Sequence, residues 1–119
     1  MGSKTLADLV EAELGVSTFT RDNPVTATVG IVAETVARLN PNRVALLIVN
    51  LSVNNIHVGH FRDVAATKGI FLSPSGGNMV LHYFEDFNLV GLEWYGIASA
   101  AASQVLVTEW LTQRNPGKP

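Results

Sequence analysis

The sequence predicts an all-β fold: an antiparallel β-sandwich or jelly roll of about seven to eight strands, with a short N-terminal helix. Three observations predict it. Short segments rich in Val, Ile and Leu recur along the chain. Turn signals separate them roughly every 8–12 residues, the spacing of a sandwich rather than of a parallel α/β sheet. One early segment alternates apolar and small residues with period two, as a half-buried strand does.

The first element is the predicted helix. Thr5 is placed to cap it, with Asp8 three residues on in a weak capping box. Leu6, Leu9, Val10 and Leu14 fall at helical spacing and form one apolar stripe, and Gly15 suits the residue after the helix end. About ten residues make a marginal helix alone, so the stripe needs a surface to dock on. Thr18 to Pro24 reads as a polar break.

The strands follow. Val25, Ala27, Val29 and Ile31 alternate with Thr26, Thr28 and Gly30, and Gly30 marks a bend or bulge before Val32 to Leu39 continues. Asn40-Pro41-Asn42 is a turn. Arg43 to Leu51 is apolar on both faces, as in a central covered strand. Asn54-Asn55 belongs to a turn that leads to Ile56–Phe61, and the pair reads as a hairpin. Gly69 to Leu72 is a short strand ended by Ser73-Pro74-Ser75-Gly76-Gly77, a strong turn signal. Met79 to Phe84 alternates again, and Glu85 to Leu92 is irregular. Trp94 to Ala98 and Gln104 to Thr112 close the domain on either side of a small-residue turn. The predicted organisation is a docking arm of helix and linker over 1–24, a β-domain over 25–113 and a flexible tail over 114–119.

Composition narrows the function classes. The chain has 119 residues, 47% hydrophobic and 15% charged, against about 25% charged in an average domain. Its surface is therefore either rich in uncharged polar groups or covered by partners. Net charge is −2, and Arg38, Arg43 and Arg62 are scattered rather than clustered. Nucleic-acid binding, which needs concentrated cations against phosphates, is not expected. The absence of cysteine excludes disulfides, thiolate metal sites and cysteine nucleophiles. No apolar run approaches the ~20 residues of a membrane span, and the charged N-terminus does not read as a signal peptide, so no membrane partner is expected.

A search for chemistry returns no site. His57 and His60 are three apart, which on a strand puts them on opposite faces, and His82 belongs to another strand. Convergence of all three with a carboxylate would be needed for a cupin-like metal enzyme. The serines sit in turns without a nucleophile elbow, and Gly76-Gly77 precedes no phosphate-binding sequence. Glu85, Asp86 and Glu93 match no calcium loop. Asn50-Leu51-Ser52 has the form of a glycosylation sequon but ends an apolar strand. No catalytic residue, cofactor or metal is expected, and the chain reads as a non-enzyme. Among the aromatic residues, Trp94, Tyr95 and Trp110 are the candidates for an outward interface or sugar platform.

The stretches NPNRVALLIVNLSVNNIHVG, GIFLSPSGG and EWYGIASAAASQVLVTEW together resemble small β-sandwich virion structural proteins of tailed bacteriophages. The resemblance spans about residues 40–110. It implies a capsid decoration or cement protein, or a neck or tail component. Such a protein would be located in the virion, be present in many copies as a homo-oligomer, and bind other virion proteins. The stripe Leu6, Leu9, Val10 and Leu14 is then the candidate docking element, with Trp94, Tyr95 and Trp110 as further interface candidates. The competing expectation is a carbohydrate-binding β-sandwich module that presents those three aromatic residues on one face.

Overall fold

A computed structural model of the chain describes residues 17–20 and 25–113, with side chains over 26–86 and 88–112. The predicted helix with its stripe Leu6, Leu9, Val10 and Leu14, and the tail 114–119, lie outside the described residues.

The described chain forms nine strands: β1 Ser17–Thr20, β2 Val25–Val29, β3 Glu34–Ala37, β4 Arg43–Asn50, β5 Ile56–Gly59, β6 Ile70–Leu72, β7 Asn78–His82, β8 Trp94–Ala98 and β9 Ser103–Gln113. One helical turn, Tyr83–Asp86, and one 3-10 turn, Phe87–Gly91, separate β7 from β8. All strand pairs are antiparallel. The first sheet has the order β1-β9-β4-β7, with β2 also on β9, and the second has the order β3-β8-β5-β6. β1 pairs with the C-terminal part of β9 and β2 with its N-terminal part, so the two short strands share one edge of the long one.

The sheets face each other across a common core. Alternation dictates which residues enter it. Leu46 and Ile48 of β4, Met79 and Leu81 of β7 and Val105 and Val107 of β9 point inward from the first sheet. Val36, Ile56, Val58, Leu72 and Trp94 meet them from the second. Each fully buried side chain of this size is worth about 1.5–3 kcal/mol relative to exposure. Gly96 also faces inward. A Cβ there would stand 3.1 Å from Val36 Cγ1 and 3.4 Å from Val29 Cγ2, so the sheets approach closely at this point.

Two expectations are corrected. The segments Arg43–Leu51 and Ile56–Phe61 do not form a hairpin: both edges of β4 are taken by β9 and β7, and β5 pairs with β6 and β8 in the other sheet. The intervening turn carries the chain across the core instead of back along the same sheet. The polar segment from Thr18 is not all linker, because Ser17–Thr20 pairs with β9 from Ser17↔Gln113 to Thr20↔Trp110. The sheet therefore begins before residue 25. The small-residue turn Ser99–Ala102 separates β8 and β9 as expected, and it too crosses between sheets, so those two strands do not pair.

From β2 onward, each connection except β5–β6 passes from one sheet to the other. This places two sets of loops at opposite ends of the domain. One end gathers residues 30–33, 51–55, 73–77 and 99–102. The other gathers 38–42, 60–69 and 83–93.

Candidate interaction surface

Charge is distributed unevenly over this frame. The outward positions of the first sheet are Thr26 and Thr28 on β2, Ala45, Leu47 and Val49 on β4, Asn78, Val80 and His82 on β7, and alternate residues from Gln104 to Thr112 on β9. None of them is Asp, Glu, Lys or Arg. The register sets Leu47 between Val80 and Thr108, Val49 opposite Leu106, and Ala45 between His82 and Trp110. The result is an apolar band across three strands with threonines at its margin. Val80, on edge strand β7, is 60% exposed. The open face of an antiparallel sheet is ordinarily polar, so this face is unusual.

The neutral surface continues onto the first loop end. Segments 30–33, 51–55, 73–77 and 99–102 contain no charged residue, and Ile31, Val32, Leu51 and Val53 project there as exposed apolar side chains. Among the described residues Glu34 is the one carboxylate at its border. These loops are held by a dense polar network. Asn50, fully buried, donates through Nδ2 to the carbonyls of Asn54 and Leu72, and its Oδ1 accepts from the backbone N and hydroxyl of Ser52. Asn54 Nδ2 donates to the buried Ser103 hydroxyl at 2.9 Å. Gly76 N donates to Asn50 O, and Asn50 N to Gly77 O. Gly76 has φ 118°, and a Cβ on Gly77 would fall 2.2 Å from Ser73 N, so this turn requires both glycines. With its Nδ2 so engaged, the sequon asparagine is a structural group.

The opposite end carries the remaining surface charge among the described residues: Arg38, Arg62, Asp63, Lys68, Glu85, Asp86 and Glu93. Its interior is ionic as well. A β-bulge at Val44, where the β4–β9 register shifts, turns Arg43 inward. Arg43 Nε donates to Glu109 Oε2 at 2.8 Å, and Nη2 stands 2.7 Å from the same oxygen. Nη1 donates to the carbonyls of Val90 and Leu92, and Nη2 to that of Arg38. The guanidinium thereby donates four hydrogen bonds, and its Nη2 also pairs with the Glu109 carboxylate. An open cleft of about 360 Å³ beside it is lined by Leu39, Pro41, Val44, Tyr83 and Leu92. The guanidinium is committed to its four acceptors.

The aromatic candidates separate. Trp94 is 2% exposed, its indole N–H donating to Leu89 O at 2.9 Å, so it belongs to the core and not to an interface. Alternation explains this: Trp94, Gly96 and Ala98 face in, while Tyr95 and Ile97 face out. Tyr95 lies on the outer face of the second sheet, with Arg62 5.7 Å from its ring centroid. Trp110 lies on the outer face of the first sheet. The three do not share one platform. The histidines separate likewise: His57 lies tilted against Phe71 on the second sheet, His60 meets Trp94 edge-on, and His82 stacks on Tyr83 at the edge of the first sheet. Among the described residues no three His, Asp or Glu side chains gather as a metal site would require. No helix among them is long and apolar enough to cross a membrane.

Sequence reading missed the neutral face, although its signal is present. In RVALLIVN and SQVLVTEWLT the charged residues, Arg43 and Glu109, fall on inward positions, which leaves every outward position uncharged. Only the bulge and the pairing reveal that phase.

No family model matches the chain, and no curated protein matches it. Among solved structures, a chain from Bacillus endospore appendages, described as forming a novel family of disulfide-linked pili, is similar with a TM-score of 0.53 and 14% identity. The match covers 83% of this chain and 91% of that one. At this identity the likeness speaks for the fold alone.

Proposed function

We propose that this chain is a non-enzymatic structural subunit that works in many copies, built on a jelly roll. The strand orders β2-β9-β4-β7 and β3-β8-β5-β6 support the jelly-roll reading, an architecture shared by viral capsid and lectin domains. The observation that carries the assembly reading is the continuous uncharged surface that the described residues form over the first sheet and the adjoining loop end. A domain exposed on all sides to water keeps charge on every side, whereas a subunit whose neighbours cover it does not.

The virion address, on the capsid surface or in the neck or tail, rests on the sequence resemblance over about residues 40–110. The appendage neighbour supports an assembling role through fold likeness. Its disulfide linkage does not transfer, because this chain has no cysteine. Light scattering coupled to size-exclusion chromatography, on the full chain over a wide concentration range, tests the role. Multimers are expected. A chain that stays monomeric and is missing from purified particles by mass spectrometry rejects it.

A further inference from the structure

The assembly reading leaves open which surface makes the contact and with what. We propose that the outer face of the five-stranded sheet packs against the same face of a second copy of this chain, around a two-fold axis near Leu47. The inference rests on the assembly reading and names its interface.

The chemistry of the face selects the occupant. Among the described residues, an acidic or basic partner finds no opposite charge on the face, and an anionic membrane finds no Lys or Arg at its border. Near a two-fold axis each residue meets its own copy, so a charge beside Leu47 would meet like charge or lose its water unpaired. A surface without Asp, Glu, Lys or Arg escapes both costs. It also has the layout of an interface, with Leu47, Val49 and Leu106 on the central strands, Val80 at one edge and Thr26 and Thr28 at the other. Two such faces stacked about 10 Å apart would interdigitate as the two inner faces of a sandwich do.

The area sets the strength. Four strand positions about 4.8 Å apart and about seven residues long give roughly 440 Å² per copy, or about 900 Å² for the pair. Stable interfaces start near about 1,000 Å², so the contact belongs to the weak class that accumulates over many copies. Association in the micromolar to millimolar range is expected.

Sedimentation equilibrium of the full chain, with Leu47→Lys and Leu47→Glu alone and mixed, tests it. The native chain should associate reversibly, and each variant should weaken association by at least about tenfold, since like charges meet across the axis. Mixing the two variants should restore association. Circular dichroism checks that both remain folded, and Val80→Lys, at a more exposed position, replaces them if they do not. Association of the Lys variants equal to that of the native chain, or no recovery on mixing, overturns the interface and leaves the assembly reading standing. A native chain monomeric throughout overturns the interface, and it overturns the assembly reading as well if the chain is also missing from purified particles.

Discussion

Arg43 and Asn50 stand at the two ends of one strand, β4, and both are buried. They solve the same problem by opposite means. Loops that cross between sheets carry backbone carbonyls and amides to the rim of the core, where each needs a partner. At one end a guanidinium gathers three carbonyls and a carboxylate. At the other a neutral amide gathers two carbonyls, a hydroxyl and an amide N–H. The surfaces follow suit: the ionic end is the charged end, and the amide end is uncharged outside as well as in. A rim organised without charge can be covered by a neighbour at no cost in desolvated ions, which the Arg43 end cannot offer.

Urea unfolding of single variants tests how different the two solutions are. The largest effect is expected for Arg43→Ala, a loss of about 3–5 kcal/mol, because it strands the Glu109 carboxylate in the interior. Asn50→Ala should cost about 2–3 kcal/mol, since the groups it orphans are neutral. Equal losses at the two sites would erase the distinction. Gly77→Ala should cost about 1–3 kcal/mol, as the new Cβ meets the Ser73 backbone and the turn has to shift. A neutral result there would show that the loop end is pliant rather than held. The paired change Arg43→Met with Glu109→Leu should recover most of the Arg43→Ala loss, because buried ion pairs often exchange for apolar groups within about 1 kcal/mol. If the pair is as damaging as Arg43→Ala, the carbonyls of Arg38, Val90 and Leu92 depend on the guanidinium more than the ion pair does. Val80→Thr should move stability by less than about 0.5 kcal/mol, as expected for an exposed sheet position.

Much of the fold is legible in the residues. The period-two pattern of Val25–Val29, the apolar run Arg43–Asn50, the Ser73–Gly77 turn and the strands on either side of Ser99–Ala102 all fall where the chain's local chemistry places them. Pairing is not legible, because a turn of polar residues looks the same whether the chain folds back along its sheet or crosses to the other. Asn50 decides that question after β4: its bonds to Asn54 and Leu72 fix a crossing rather than a hairpin. Trp94 and Tyr95 show the same limit on a smaller scale. Adjacency on a strand says that one points in and one out, and only packing says which.

The sequence by itself determined that this is a β protein without cysteine, sparing in charge and divided by turns into short strands. Those properties depend on residue type and local spacing. The tertiary structure decided where the scarce charges go. A bulge at Val44 and the register of β4 against β9 send Arg43 and Glu109 inward to each other and leave an uncharged face outside. Strand phase sets this outcome, and phase is a property of the assembled sheet: a shift of one residue would exchange the two faces.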